Sequence, residues 1–575
     1  MRRFLPFLEW ASTYKRDYLP KDLVGGLTVG IVLVPQGMAY AMIAGLPPVY
    51  GLYASLFPVL TYALLGTSRK IAVGPVAMDS LLVAAGLGTL TIVGMEHYLA
   101  LLALLTLMVG AIQLVLGVLQ MGFLVHFLSR PVISGFTSAA ALIIILSQLK
   151  HLLGVSLPGS STFHELVLHA VEGISRTNPA DLLVGAMGIG ILVAFKLWRK
   201  NFPAILLIVV LGIAGTYFFN LEQYGLKLVG NIAQGLPRLS MPQWDWESLA
   251  LLLPMALALA LVGYLEAISI GKALQDKAGE DTIRPNQEFI GLGSANIVGS
   301  FLQAFPVTAS FSRSAINHEA GTKTNLGSIF SVLLVLFTLL FLTPVFAYLP
   351  KAILASIIMV SVFGLINVPY ARSLWEGARD EFWVLVITFL MTLFVGIAEG
   401  ILLGTLIALL LLVYRTSRPH FAVLGQVAHT DYYKNVERFG EDVLIRKDLL
   451  IVRFDAQLYF GNATYFKKGL LREVQKKGAE LKGVILNAEP INYIDATGTE
   501  TLIQIIGELQ RRGIGFYIAG AIGPARDIIF NSDIGQALDR DHLFVKTHEA
   551  VAYFDDPKNV SEAGSKVAHE SKKKN

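Results

Sequence analysis

Arg313 ends the run Ser310-Phe311-Ser312-Arg313, in a stretch otherwise apolar enough to lie inside a membrane. A guanidinium keeps its charge and offers five N–H donors, so together with the flanking hydroxyls it makes a receptor for an anion. Glu266 is a second ionisable residue at membrane depth, in Leu261-Val262-Gly263-Tyr264-Leu265-Glu266-Ala267. A charge there is expensive, so it faces a cavity, pairs with another charge or binds cargo. One assignment gives Arg313 the anion and Glu266 a proton or cation that offsets the anion's charge. Whether such a carboxyl holds a proton would then depend on what sits beside the arginine. A static Glu266–Arg313 pair, or side chains that snorkel to the interface, would fit the same residues. Gln36 and Tyr40 stand four apart on one helix face and present an amide and a phenol. They would line the same cavity or bond a neighbouring helix, the commoner use of such residues. Asp79 is a further intramembrane acid, expected at a helix-packing seam and not at the site.

Two interrupted segments must position these groups. Val73-Gly74-Pro75-Val76-Ala77-Met78-Asp79-Ser80 and Phe305-Pro306-Val307-Thr308-Ala309-Ser310-Phe311-Ser312-Arg313 each have an extended approach, a Pro-Val, and small or polar residues opening a short apolar run. Each suits a half-helix that starts within the membrane, because proline is tolerated where its missing N–H would be unpaired anyway. Half-helix N-termini aim free N–H groups and positive dipole ends at an anion, and interrupted segments in corresponding places mark a transporter's midplane site. Ordinary proline kinks would look the same.

The chain has 575 residues, 54% hydrophobic and 15% charged, far more apolar than a soluble globular protein. Apolar windows place spans at 22–43, 50–66, 73–90, 97–119, 132–149, 181–198, 202–219, 248–268, 286–301, 308–319, 325–345, 350–368, 382–397 and 399–414. The interrupted segments are third and tenth of these fourteen, as a seven-plus-seven repeat requires. Cytoplasmic loops should be rich in Lys and Arg. With the N-terminus inside, the even span ends meet Arg69 and Lys70, Arg130, Arg199 and Lys200, Lys272, Lys277 and Arg284, Lys323, Arg372 and Arg379, then Arg415 and Arg418. Both termini are therefore expected in the cytoplasm. On the opposite side Lys150 with Arg176, Lys227 with Arg238, and Lys351 break the pattern. Residues 1–21 mix Arg2, Arg3, Lys15 and Arg16 with Glu9 and Asp17, without the apolar core of a cleavable signal, so a retained cytoplasmic segment is expected.

Several classes fall away. The chain has no cysteine, which excludes disulfides and thiolate chemistry. A net charge of +4, unclustered, excludes a nucleic-acid stripe. There is no phosphate-cradling loop, no metal-spaced histidine cluster and no nucleophile with its base, so neither an enzyme nor a cofactor is expected.

The runs Val34-Pro-Gln-Gly-Met-Ala-Tyr-Ala41, Ala44-Gly-Leu-Pro-Pro-Val-Tyr-Gly-Leu-Tyr53, Gly66-Thr-Ser-Arg69, Ser310-Phe-Ser-Arg-Ser-Ala-Ile-Asn317 and Ala320-Gly-Thr-Lys-Thr324 resemble the signatures of the sulfate permease (SulP) family over essentially the whole chain. The resemblance implies an α-helical polytopic membrane protein. Its fourteen segments would form two inverted seven-segment repeats divided into core and gate domains, working as a homodimer by an elevator-like movement. It implies an anion bound between the N-termini of the third and tenth helices. Gln36 and Tyr40 match polar site residues, Ala77 and Met78 the third-helix end, and Ser310, Phe311, Ser312 and Arg313 the tenth. Glu266 matches the acid tied to proton coupling in sulfate-carrying members. Sodium-coupled bicarbonate carriers in the family tend to have a shorter acid there, so the resemblance favours sulfate with proton symport, in a bacterial inner membrane.

Residues 419–447 are read as a linker and the start of a soluble domain, 448–556 as that domain, and 557–575 as a disordered basic tail near anionic lipid. Strand-like Leu449–Phe454, Val484–Leu486 and Gly515–Ile518 alternate with amphipathic stretches near 463–477 and 498–511, which indicates a small α/β domain. Tyr493-Ile-Asp-Ala-Thr-Gly-Thr499 resembles the hallmark of STAS domains. In the related bacterial antagonists a hydroxyl residue before that glycine is phosphorylated, and Thr497 holds the position. The alternative is that Asp495 and Thr497 cap the helix. A STAS-like module implies a regulatory role and a cytoplasmic protein partner. A bicarbonate or C4-dicarboxylate carrier, an anion channel, and a sensor with the soluble domain as output remain as alternative functions.

Overall fold

The computed structural model describes residues 5–557 apart from 89, 91–93, 124–128, 157–162, 199–201, 243, 279–282 and 539. Arg2, Arg3, Arg199, Lys200 and the basic tail lie outside the described residues, as does the side chain of Lys277. The chain divides into two compact units, Met1–Ala408 and Leu409–Asn575.

Among the described residues, eight helices are long and apolar enough to cross a membrane, and three shorter apolar helices accompany them. Every one of the fourteen sequence-predicted spans has a helical counterpart, but several are interrupted. The second is two helices, Val49–Ala54 and Phe57–Leu65, parted at Ser55 and Leu56. Pro58 has no N–H to give to Ala54, so a continuous helix would lose a bond there. The eleventh carries a π-helical turn at Thr338–Leu342 between Leu326–Phe337 and Thr343–Phe346. The third and tenth contain short strands, β1 (Val73–Gly74) and β2 (Thr308–Ala309). Two amphipathic helices, Phe163–Ile174 and Val368–Gly377, lie outside the sequence-predicted spans.

Two buried acids tie helix ends to turns. Asp22, near the start of the Leu19–Ile43 helix, accepts hydrogen bonds from Lys323 N (2.6 Å), Thr324 N (3.1 Å) and Thr324 Oγ1 (2.6 Å). Glu288, in the first turn of the Pro285–Phe301 helix, accepts from Tyr62 Oη (2.7 Å), Thr67 N (2.7 Å), Thr67 Oγ1 and Ser68 N (3.1 Å). Buried carboxylates persist where their lone pairs are filled in this way.

The soluble unit contains a seven-stranded sheet. Its strands are β3 (Phe421–Val427), β4 (Tyr433–Asn435), β5 (Val443–Leu444), β6 (Leu449–Phe454), β7 (Gly483–Asn487), β8 (Gly515–Ala519) and β9 (Leu543–Phe544). Their order is β4-β3-β6-β7-β8-β9, with β5 also on β3. The pairs from β6 to β9 are parallel and joined through helices, as parallel pairing requires, while β3 runs antiparallel to β6. The 419–447 stretch is therefore sheet as well as linker. Phe454, Phe466, Leu486, Ile506 and Ile518 are among the residues of one buried cluster.

Arg446 pins the end of the Thr547–Asp555 helix to this sheet. It donates to Asp448 (3.0 and 2.7 Å) and Asp555 (2.6 Å). Its hydrogen bonds hold the Asp448 carboxyl below the usual carboxylate range. That stabilisation is present above the unfolded carboxylate value of about 3.9 and is lost as pH falls through Asp448's own lower value. Arg446→Ala should thus lower the melting temperature of the soluble unit at pH 7, with the difference from the unchanged protein closing in acid. A difference that stays constant down to about pH 2 would assign the effect to packing instead.

Candidate functional site

β1 and β2 pair antiparallel, with Val73 opposite Ala309 and Gly74 opposite Thr308. After each strand a short helix begins, Ala77–Gly88 on one side and Phe311–Glu319 on the other. The backbone between long helices must find partners, because hydrocarbon supplies none. Ser310 N donates to Ala72 O (3.0 Å), and Ala72 N donates to Ser314 Oγ (2.9 Å). Asn317 Nδ2 donates to Lys70 O (3.0 Å). Asn296 serves Val307 twice, accepting from its N–H at 2.8 Å and donating to its carbonyl at 3.2 Å. Gln113 completes the set, accepting from Asn296 (3.0 Å) and donating to Ala260 O (3.1 Å). The crossing is thus held by Gln113, Asn296, Ser314 and Asn317, none of which was singled out in the sequence. Gln113 and Asn296 were detectable as lone amides in apolar spans, a pattern that marks interhelical glue.

Arg313 is fully buried in the first turn of its half-helix. Its Nη1 donates to Gln36 Oε1 at 3.3 Å. Its Nε and Nη2, and Gln36 Nε2, are buried without a hydrogen-bond partner among the described residues. Gln36 is placed by a close crossing. The Val49–Ala54 helix lies so near the Leu19–Ile43 helix that a Cβ on Gly51 would stand 1.9 Å from Gly37 O. Tyr40, one turn on from Gln36 on the same helix, is buried as well. Ala77, Met78 and Ser310 are buried, whereas Phe311 is 52% exposed and Ser312 is exposed. Ser310 Oγ and Ser312 Oγ lie 3.3 Å apart. The structure brings the side chains of Gln36, Tyr40 and Arg313 together, with Ser310 and Ser312 at the start of the same half-helix.

Glu266 lies on the long Trp246–Ala278 helix and makes no ion pair with Arg313. Asp79 stands in the first turn of the other half-helix. Asp79 is 2% exposed, and its Oδ1 has no partner. Its Oδ2 stands 3.5 Å from where a Cβ on Gly263 would be, one turn before Glu266. Thr308 of β2 donates to Gly263 O, so this helix is docked on the crossing. Asp79 thus packs against Gly263, one turn before Glu266 on the long helix, which is a helix-packing seam.

In the soluble unit Asp495 caps the Ala496–Arg511 helix, accepting from Gly498 N at 2.7 Å and from Phe460 N at 2.9 Å. A Cβ on Gly498 would come within 2.6 Å of Leu458 O, so the helix start fits only glycine there. Thr497 is exposed in the first turn and makes no cap bond.

Gly74 leaves room for the guanidinium, since a Cβ on it would stand 3.2 Å from Arg313 Nη2 and from Leu33 Cδ1. Gly74→Val should displace Arg313 and weaken anion binding at least about tenfold, as loss of one charge-assisted hydrogen bond would. Titration calorimetry of the purified chain with sulfate checks this, and unchanged affinity would separate Gly74 from the site.

The sequence profile of the sulfate permease family matches residues 19–388, and that of the STAS domain matches 442–550. The chain is 37% identical over 568 residues to "Sulfate transporter 4.1, chloroplastic" of Arabidopsis thaliana, covering 95% of this chain and 82% of that protein. It is 31% identical over 541 residues to "Probable sulfate transporter MT1781" of Mycobacterium tuberculosis, covering 94% and 96%. The structure of murine Slc26a9, an anion transporter in its inward-facing state, superposes with a TM-score of 0.86 at 28% identity over 96% of this chain and 94% of that one. The transmembrane domain of a cyanobacterial bicarbonate transporter shares the fold, with a TM-score of 0.59 at 21% identity over 69% and 98%. Paired half-helices with a buried arginine between long apolar helices, together with these matches along nearly the whole length, show that the chain belongs to the sulfate permease family, whose members are transporters and not enzymes, and that it ends in a STAS domain.

Proposed function

We propose that the membrane unit is a proton-coupled sulfate importer. The observation that carries the anion site is the set of buried donors on Arg313 and Gln36 without acceptors, facing the starts of two half-helices. Burying such donors unpaired is costly, and an anion repays the cost through charge-assisted bonds. Sulfate is the cargo in the names of both relatives reported above, which supports that choice. The anion would lie between Ala77–Met78 and Ser310–Arg313, with Gln36 and Tyr40 as further donors.

Coupling follows from the cargo's charge. Two negative charges moving inward against a potential of 100 mV cost about 4.6 kcal/mol, at roughly 2.3 kcal/mol per charge. Arg313 travels in both directions and cannot offset this. Protons can. Asp79 packs one turn before Glu266 on the long helix, so two protons per cycle on these two carboxyls would neutralise a dianion. Arg313 and Tyr40 are further ionisable groups at the site, and the Leu19–Ile43 helix that carries Tyr40 packs against the Lys351–Phe363 helix. In an elevator-like cycle the crossing would move as one body against that helix. Both termini would lie in the cytoplasm of a bacterial cell, consistent with the loop charges, and the working unit would be a homodimer.

Proteoliposomes with clamped pH and potential test this. An inward proton gradient should drive sulfate uptake, and bicarbonate or succinate should not compete. A response to sodium alone would overturn the coupling. Arg313→Ala should lose sulfate binding. Glu266→Gln should keep binding but weaken the proton drive, and uptake that follows the proton gradient as steeply as in the unchanged protein would count against that residue. Asp79→Asn should make uptake depend on the clamped potential. Uptake that ignores potential in this variant, as in the unchanged protein, would remove Asp79 from the cycle.

A further inference from the structure

Three lysines that violate the loop-charge rule come from separate places in the sequence and converge in the fold. Lys227 and Lys351 are neighbours, since Lys351 N donates to Lys227 O at 2.9 Å and Leu228 bridges to Pro350. Val229 N donates to Leu349 O at 2.9 Å, continuing the pairing. Buried Asp181 anchors it, accepting from Lys227 N at 3.2 Å. Lys150 and His151 end the Arg130–Leu152 helix, and the turn that follows reaches the same junction, where a Cβ on Gly154 would stand 2.4 Å from Asp181 Oδ2. Asp181 is the carboxylate at this junction, and its Oδ1 is taken up by the Lys227 backbone N–H. Among the described residues none of the three lysines makes a salt bridge, and all are partly buried.

Directly beside this cluster is an apolar groove of about 420 Å³ between the Pro179–Trp198 and Ala204–Phe219 helices. Met187, Gly188, Ile208, Gly212, Pro350 and Ile353 line it. Pro350 adjoins Lys351, and Ala180 of the groove adjoins Asp181, so the groove ends at the lysines. Two features set the level of that end in the membrane. Tyr217, Phe218, Phe219, Tyr224 and Tyr348 are exposed there, as in an interfacial aromatic belt. The Phe163–Ile174 helix nearby shows Val167, Leu168, Val171 and Ile174 outward, an apolar face suited to the headgroup boundary. Cations at headgroup depth above an apolar groove complement a molecule with an anionic head and a hydrocarbon tail.

We propose that this face binds an anionic glycerophospholipid, with an acyl chain in the groove and the phosphate on Lys150, Lys227 and Lys351. The site is separate from the anion site at Arg313, to which none of these residues belongs. Native mass spectrometry of the full chain, titrated with phosphatidylglycerol and separately with phosphatidylcholine, tests it. The unchanged protein should prefer phosphatidylglycerol by about tenfold or more, given the worth of each lysine near an anionic head. A variant with all three lysines changed to Gln should lose that preference, and one with all three changed to Arg should keep it, which controls for folding. Gly215→Leu should weaken both lipids, because a Cβ there meets only Leu221 Cδ1 at 3.9 Å and a larger side chain fills the groove. A preference that survives the triple Gln change overturns the proposal. So does equal competition by soluble glycerol phosphate, which would make the cluster a site for free anions and not for lipid.

Discussion

Two short stretches of unwound backbone lie inside the membrane unit, and each solves the other's hydrogen-bonding problem. β1 and β2 pair with each other where neither helix nor water is on offer. The amides and hydroxyls of Asn296, Gln113, Ser314 and Asn317 take the groups the two-residue ladder leaves over. Remove that arrangement and the half-helices have no reason to begin at Ala77 and Phe311. The polar side chains of otherwise apolar spans are used largely to keep this one crossing dry and satisfied.

The same crossing sets the electrostatics. Helix starts bring unpaired N–H groups and positive dipole ends to one place. Arg313 rides in the first turn of one half-helix and Asp79 in the first turn of the other, so a cation and an acid are carried by the same small body. The long helices contribute from the flanks, Gln36 and Tyr40 on one and Glu266 on another. Because the groups sit on elements joined through the ladder, a movement of the crossing would carry the charges with it and keep their spacing.

Much of this was legible in the sequence where a residue type has few alternatives. Pro75 and Pro306 mark the interruptions because each joins an extended approach to a run of small or polar residues, whereas Pro35 and Pro254 sit inside long apolar helices, and Arg313 stands out because no apolar environment tolerates it without purpose. The break at Ser55 and Leu56 was not legible. Hydropathy integrates over a window, and Pro58 falls where a first-turn proline and a helix breaker look alike. The amphipathic helices Phe163–Ile174 and Val368–Gly377 were missed because their mixed composition resembles loop. The packing of Asp79 against Gly263 was not legible, because contact between distant segments is not encoded in linear spacing. In the soluble unit the parallel strands showed as apolar runs, whereas β4 and β5 are only three and two residues long and β3 ends in Gly425, Gln426 and Val427, which blurs its apolar run.

Buried charge alone does not distinguish structure from function in this protein; the state of its hydrogen bonds does. Asp22 and Glu288 are both fully buried, yet each accepts at least three hydrogen bonds from the turns they hold, so nothing is left to bind. Arg313, Gln36 and Asp79 are equally buried and keep polar atoms unpaired. A fold stable by only a modest margin would not retain three such costs within one crossing unless something else offset them. The division is chemical as well. The satisfied acids each meet two backbone donors along with hydroxyls, while the unsatisfied groups lie at helix starts that a mobile ion can join. That difference, and not depth in the membrane, separates the acids that hold the core from the charges that would do its work.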